Sequence, residues 1–223
     1  MIYLIVAIGF IIDIVFIVHD DAKHDAYSII YKTLASLSFV ILAWYLTITV
    51  NNSLQAKLIF YSLIVDLLGD FFLILRNVTK TKKDLVFVLG TLFFFIGHIF
   101  LMAMLYTNNP NVLVKSLIVS VIIILIFDIC FIKKLEAKKA FKIMGSIYLF
   151  FIIYILVYCF LSYIDTRTNF DIAFMFGYFL FAISDIILMA YKFTKSPSAV
   201  LQPIYRLSYF ISQVLIAMSI VNL

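Results

Sequence analysis

The residues of this chain that could do chemistry are carboxylates placed inside long apolar stretches. Asp66 and Asp70 lie four residues apart in one such stretch, so a helix would present both on one face. Two carboxylates this close in an apolar interior can hold one proton between them, so one of them could remain a proton donor at neutral pH. Asp185 lies in a second stretch of similar sequence. The inventory therefore favours acid–base chemistry by carboxylates.

Further polar residues interrupt the apolar stretches. An ionisable group inside a membrane costs several kcal/mol and usually faces a cavity or a partner, so each is a candidate for function. Lys32 and Arg206 lie near segment ends, where snorkelling to the membrane surface explains them as well as a site inside the membrane does. Asp13 and Asp128 also lie near segment ends, and pairing with basic groups is the simpler explanation for them. The remaining candidates are His98, Tyr209 and Gln213.

Other familiar chemistries find no support in the sequence. It has no HExxH motif, no nucleophile elbow of the G-x-S-x-G type, no P-loop and no GxGxxG. Cys130 and Cys159 both lie in apolar runs, which is typical of small buried hydrophobes. We therefore predict no metal site and no cofactor.

The composition excludes a soluble protein. Of 223 residues, 65% are apolar and 13% are charged, whereas a globular domain has about 45–50% and about 25%. A soluble domain of this size could not cover so much apolar surface. A soluble enzyme, a nucleic-acid reader and a disordered chain are excluded, and an integral membrane protein remains.

The chain consists of eight apolar segments joined by short connections, and most of the segments are long enough to span a membrane. A bilayer requires about 20 residues of helix, and backbone groups in lipid must be satisfied internally, so these segments are predicted to be helices. The predicted fold is all-α, a single transmembrane domain of eight helices. The segments are 2–18, 29–50, 56–75, 85–106, 112–132, 141–164, 170–192 and 201–222.

The basic residues between these segments predict the orientation, because cytoplasmic loops carry an excess of Lys and Arg. The first, third, fifth and seventh connections hold twelve of them, against three (Lys57, Lys115 and Arg167) in the others. We therefore expect both termini on the non-cytoplasmic side, in the plasma membrane if the cell is bacterial. The twelve are Lys23, Arg76, Lys80, Lys82, Lys83, Lys133, Lys134, Lys138, Lys139, Lys142, Lys192 and Lys195.

An internal repeat is visible at an offset of 115 residues, dividing the chain into halves of about 1–111 and 112–223. Asp13 matches Asp128, and Asp70 matches Asp185. Because four helices shift onto four, the halves are predicted to be parallel. The polar residues gather toward the predicted cytoplasmic side, so we expect Asp70 and Asp185 to face one pocket that is open to the cytoplasm.

Five short motifs follow one another along the predicted helices. They are Lys32, Leu68-Gly69-Asp70, Phe87-x-x-Gly90-x-x-x-Phe94-x-x-Gly97-His98, Gly177-x-x-x-Phe181-x-x-Ser184-Asp185 and Tyr209-x-x-x-Gln213. This set, in this order, resembles the YhhN, or lysoplasmalogenase, family of integral membrane proteins. The resemblance covers nearly the whole chain, although Thr33 stands where the family often has a proline after the lysine of the second segment.

The resemblance implies hydrolysis of the vinyl ether bond of a lysoplasmalogen, or of a related lysolipid. In this hypothesis Asp70 and Asp185 are the catalytic carboxylates. His98 and Gln213 orient water or a carboxylate, and Lys32 and Arg206 hold the phosphate. Asp66 and Tyr209 complete the expected substrate site. The expected partners are a lysophospholipid and the bilayer.

Two alternative functions, each from a different class of membrane protein, stay open. Parallel repeats and polar groups near the midplane also occur in transporters of small solutes or lipids, although this chain has only 6 Gly and 3 Pro to break helices. A lipid-binding membrane protein without hydrolytic activity is the second. An assay for aldehyde release from a lysoplasmalogen separates all three.

Overall fold

The computed structural model of the chain describes residues 1–23 and 25–223, and within them it has eight long α-helices and no strand. All eight are long and apolar enough to cross a membrane, which confirms the predicted fold class. The helices are α1 Ile2–Lys23, α2 Ala26–Thr49, α3 Leu54–Val78, α4 Lys83–Asn108, α5 Leu113–Cys130, α6 Lys139–Thr166, α7 Asn169–Phe193 and α8 Leu201–Met218.

The helix ends follow local capping chemistry. Side chains of Asp25, Ser53 and Thr168 accept hydrogen bonds from the first free backbone N–H groups of α2, α3 and α7. A hydrogen bond from His19 lowers the pKa of the Asp25 carboxyl. The connection between α1 and α2 is shorter than the sequence predicts, because α1 continues to Lys23. Residue 24, in this connection, lies outside the described residues.

The chain forms two compact units. Unit 1 comprises Met1–Met104 and Gln213–Leu223. In it α1 packs on α2 and α2 packs on α3. The rings of Phe72 on α3 and Phe93 on α4 stack with their centroids 5.3 Å apart. Unit 1 therefore places the polar residues of α2, α3 and α4 on helices that are direct neighbours.

The first helix has one narrow buried stripe. Between Ile2 and Asp20 its buried residues are Gly9, Asp13, Phe16 and Asp20, spaced by four, three and four. This spacing follows the helical repeat and lies on one side of α1. Apolar side chains on its other sides, among them Tyr3, Ile11 and Val18, are exposed, as expected for a helix that faces lipid.

Unit 2 comprises Leu105–Ser212, in which α5 packs on α6 and α6 on α7. A buried carboxylate, Asp171, lies near the first turn of α7 and accepts hydrogen bonds from four side chains. Neutral donors that satisfy a buried carboxylate stabilise its position. The donors are Asn108, Ser162, Thr166 and Thr168.

Helix bounds recur at the offset predicted for the repeat. Shifting α3 by 115 residues places it on α7, Asn169–Phe193, and shifting α2 places it within α6. Two of the four predicted helix pairs thus have matching bounds, and the duplication itself stays a prediction. The compact units have other limits than the predicted halves, so the halves at 1–111 and 112–223 stay a prediction.

Candidate active site

The buried face of α3 carries two carboxylates. Its buried residues recur at intervals of three and four and include Asp66 and Asp70, which are 3% and 4% exposed. Residues four apart lie one turn from each other on a helix surface. The spacing i,i+4 thus places both carboxylates on one face, as the sequence predicts, and turns that face toward the interior of unit 1.

Asp70 lies beside a buried cation. Nζ of Lys32 on α2 is 3.1 Å from Oδ2 of Asp70, and the hydroxyl of Ser36 donates to the same oxygen over 2.5 Å. Lys32 is only 8% exposed, although it lies in the second turn of its helix. Its ammonium therefore reaches a carboxylate inside unit 1, and snorkelling to water does not describe it.

Asp66, the other carboxylate of this face, contacts the last helix, α8. Nε2 of Gln213 donates to Oδ2 of Asp66 over 3.1 Å, and Gln213 is fully buried. Gly97 of α4 provides the space for this carboxylate, because a Cβ at that position would overlap with Oδ1 of Asp66. A glycine thus lets α4 approach α3 where the carboxylate lies.

His98 is held by its own helix. It is 1% exposed, and its Nδ1 lies 2.6 Å from the carbonyl oxygen of Phe94. A carbonyl can only accept, so Nδ1 carries a proton and the ring is fixed relative to the backbone. The expectation that His98 orients water or a carboxylate stays a prediction.

Asp185 in unit 2 also receives a hydroxyl group. The phenol of Tyr148 on α6 donates to Oδ2 of Asp185, which is 6% exposed. The neighbouring Ser184 donates to the carbonyl of Phe181 over 2.8 Å. Because Asp70 and Asp185 belong to different units, the expectation that they face one pocket stays a prediction.

Arg206 and Tyr209 lie on α8 within unit 2, and both are 6% exposed. Nε of Arg206 donates to the phenol oxygen of Tyr205 over 3.4 Å. The ring of Tyr209 lies 5.9 Å from that of Phe181, at the end of a column of rings along α7. The substrate-binding role of both residues stays a prediction.

The acids of the first and fifth helices have different surroundings. Asp13 is fully buried, in the stripe of α1 described above. Oδ2 of Asp128 accepts from the hydroxyl of Ser146 on α6 over 2.5 Å. The contact at Asp128 is with a neutral hydroxyl, where the sequence favoured a basic group.

Two residues next to the carboxylates were missed at the sequence level. Ser36 lies one turn beyond Lys32 on α2, so its spacing could have identified it. Tyr148 gives no such signal, because tyrosines are frequent throughout the chain, which has 14 of them. In each unit, a hydroxyl of one helix thus donates to the carboxylate of the next.

Within the described residues, no group of three or more His, Cys, Asp or Glu side chains is arranged to hold a metal ion. The arrangement in unit 1 can fix two carboxylates inside apolar helices, one against an ammonium and one against an amide. Such groups can bind a polar head group or transfer a proton in a site with little water.

No curated protein and no solved structure matches the chain. The sequence model of the YhhN family matches residues 27–220, a range that covers α2 through α8 almost completely. Lys32, Asp70, Asp185 and Gln213 all lie within the matched range, and the chain is therefore a member of the YhhN family.

Proposed function

We propose that this chain is an integral-membrane hydrolase that cleaves the vinyl ether bond of lysoplasmalogens. The products are a fatty aldehyde and a glycerophospho-ethanolamine or glycerophosphocholine. Membership in the YhhN family supports a function of this type. The structural observation that carries the proposal is the buried Lys32–Asp70 pair, one helical turn from Asp66, which accepts a hydrogen bond from Gln213.

The chemistry of the bond explains why carboxylates are suited to it. A vinyl ether resists base and yields to acid. Proton transfer to the alkene carbon farther from the ether oxygen forms a C–H bond and leaves an oxocarbenium ion, which water captures as a hemiacetal. The hemiacetal then collapses: its C–O bond to glycerol breaks, the glycerol oxygen takes a proton, and the aldehyde leaves. The reaction consumes one water and regenerates the acid, as in glycoside hydrolysis.

In our proposal Asp70 and Asp185 supply the acid and the second carboxylate. The second carboxylate stabilises the cation and takes a proton from the attacking water. The Lys32 ammonium has three donors, so it can contact Asp70 and a lipid phosphate at once. Arg206 is suited to the same phosphate through bidentate hydrogen bonds.

The remaining residues position these groups. Gln213 fixes Asp66 through the hydrogen bond described above and has a second polar atom to offer to water. His98 orients water, and Tyr209 borders the site with its ring. The single alkyl chain of the substrate lies in an apolar slot between helices. In the proposed orientation the site opens to the cytoplasm.

The test is the release of fatty aldehyde from a lysoplasmalogen by the purified protein in detergent. We expect aldehyde from the vinyl ether substrate and none from a lysophospholipid with an ester-linked chain of the same length. Asp70→Asn and Asp185→Asn should each reduce turnover by at least about a hundredfold. Asp84→Asn, at an exposed position at the start of α4, is the control for the loss of one carboxylate.

The same assay separates the other two classes. A protein that retains the lysolipid without producing aldehyde would be a lipid-binding protein. Movement of intact lysolipid across proteoliposomes, again without aldehyde, would identify a transporter. Normal aldehyde release by Asp70→Asn or Asp185→Asn would contradict the assignment of the catalytic residues.

A further inference from the structure

A dense set of lysines lies at one end of unit 2, on two connections that are far apart in sequence. One connection joins α5 to α6 and the other joins α7 to α8. The two segments, 131–142 and 192–200, contain a single acidic residue, Glu136. We call this surface the basic face, and it comprises Lys133, Lys134, Lys138, Lys139, Lys142, Lys192 and Lys195.

One hydrogen bond, one ion pair and one ring contact hold the two connections together. The backbone N–H of Glu136 donates to the carbonyl oxygen of Phe193 over 2.7 Å. Nζ of Lys195 lies 3.0 Å from Oε1 of Glu136. The rings of Phe141 and Phe193 are neighbours, with centroids 6.3 Å apart. The lysines of both connections therefore form one surface of unit 2.

The connection between α5 and α6 folds so that two of its lysines are exposed. A short 3-10 turn, Ile132–Lys134, follows α5, and the side chains of Ile132 and Leu135 are buried at 4% and 6% exposure. Lys133 and Lys134, between these two anchors, are exposed. Nζ of Lys142 donates to the carbonyl oxygen of Lys133 over 2.9 Å, which closes the turn against α6.

The position of this surface identifies its partner. It lies where α5 and α7 end and α6 and α8 begin, and all four are long enough to span a bilayer. The ends of such helices lie at the level of the lipid head groups. Several ammonium groups at that level attract anionic lipids through their phosphates.

We propose that the basic face binds the phosphate head groups of anionic phospholipids in the surrounding leaflet. The general excess of lysine in cytoplasmic loops would also explain why this face is positively charged, but that explanation requires no bound lipid. The proposal requires selective binding and does not depend on the hydrolase activity.

Native mass spectrometry of the detergent-solubilised full chain tests the proposal. The protein is mixed with equal amounts of phosphatidylglycerol and phosphatidylcholine of the same acyl chains. We expect retention of phosphatidylglycerol over phosphatidylcholine, with the preference falling as salt rises. The variant Lys133→Gln, Lys134→Gln, Lys138→Gln, Lys139→Gln should reduce retention of phosphatidylglycerol by about tenfold or more.

Two matched variants complete the design. Replacing the same four lysines by arginine keeps the charge and should keep the preference. The pair Lys57→Gln and Lys115→Gln removes two charges at the starts of α3 and α5 and should leave the preference unchanged. Inorganic phosphate at millimolar concentration should not displace the lipid, since the acyl chains remain in the micelle.

Three results would overturn the proposal. The first is equal retention of both lipids by the unaltered protein. The second is an unchanged preference in the glutamine variant. The third is complete displacement of phosphatidylglycerol by inorganic phosphate, which would indicate a site for free anions.

Discussion

The ammonium of Lys32 and the carboxylate of Asp70 lie 3.1 Å apart, and neither side chain is more than 10% exposed. The hydroxyl of Ser36 donates to the same carboxylate oxygen. A buried ion pair is costly to break by removing one partner, at about 3–5 kcal/mol, because a charge then stays buried. This pair therefore fixes α2 against α3 as well as positioning a candidate catalytic group.

Lys32→Met should lower the free energy of unfolding by about 3 kcal/mol, because it removes the cation beside Asp70. Lys32→Met combined with Asp70→Asn should recover part of this loss, because the buried negative charge is then gone. Thermal unfolding in detergent measures both. Lys115→Met, at an exposed position of α5, is the control. Additive losses in the double variant would contradict a direct coupling.

Ser36→Ala should reduce kcat for aldehyde release by about tenfold or more, since a hydrogen bond to a charged group contributes about 1.5–3 kcal/mol. KM should change little if Ser36 only positions Asp70. Ser36→Thr keeps the hydroxyl and should recover part of the rate. Ser38→Ala is the matched control, because Ser38 donates to the backbone carbonyl of Ala35. Loss of rate in the control, or none in Ser36→Ala, would refute this role.

Tyr148→Phe removes only the hydroxyl that donates to Asp185. We expect a shifted pH profile of kcat and a rate lowered by about tenfold, because the carboxylate loses one donor. Tyr154→Phe, on the same helix and similarly buried, should leave the profile in place. An unaltered profile in Tyr148→Phe would show that this contact does not tune Asp185.

Gly97→Ala should destabilise unit 1 by about 1–3 kcal/mol, because the new methyl group overlaps with Asp66 and Gln213 holds that carboxylate in place. Gly145→Ala is the comparison. Its Cβ meets only the terminal methyl of Met189, which can move. The unfolding midpoints of the two variants measure the difference, and equal midpoints would contradict the packing described for Gly97.

Asp171→Asn should destabilise the end of unit 2, because an amide nitrogen replaces one oxygen that accepts from hydroxyl donors. We expect a loss of about 1–2 kcal/mol and an unchanged kcat per folded molecule. Asp165→Asn affects a more exposed carboxylate that accepts from Asn109, and it should cost less. A fall in kcat for Asp171→Asn without a fall in stability would assign it a role in catalysis.

The sequence alone was sufficient to predict the helices. Each of the eight apolar segments became a helix, because lipid leaves the backbone no other partner than itself. The i,i+4 spacing of Asp66 and Asp70 likewise predicted their common face. These features depend on residues close together in the chain, so that local periodicity is enough to predict them.

Contacts between helices were harder to predict. Gln213 and Asp66 are 147 positions apart in the sequence, so their hydrogen bond depends on how α8 packs in unit 1. The pairing of Tyr148 with Asp185 depends on the register of α6 against α7, which no local pattern encodes. Lys32 shows the same difficulty: its place near a helix start left snorkelling and burial equally open, and packing against Asp70 buries it.

The narrow stripe of α1 determines how freely that helix can vary. Exposed positions of α1, such as Leu4, Ile11 and Val18, face away from this stripe, so exchanges among Leu, Ile, Val and Phe there alter contacts with acyl chains more than contacts with protein. A saturation library should therefore show a periodic pattern of tolerance, with minima at Gly9, Asp13, Phe16 and Asp20. Drift along the other faces would let relatives adapt to bilayers of different lipid content while the interior of unit 1 stays the same.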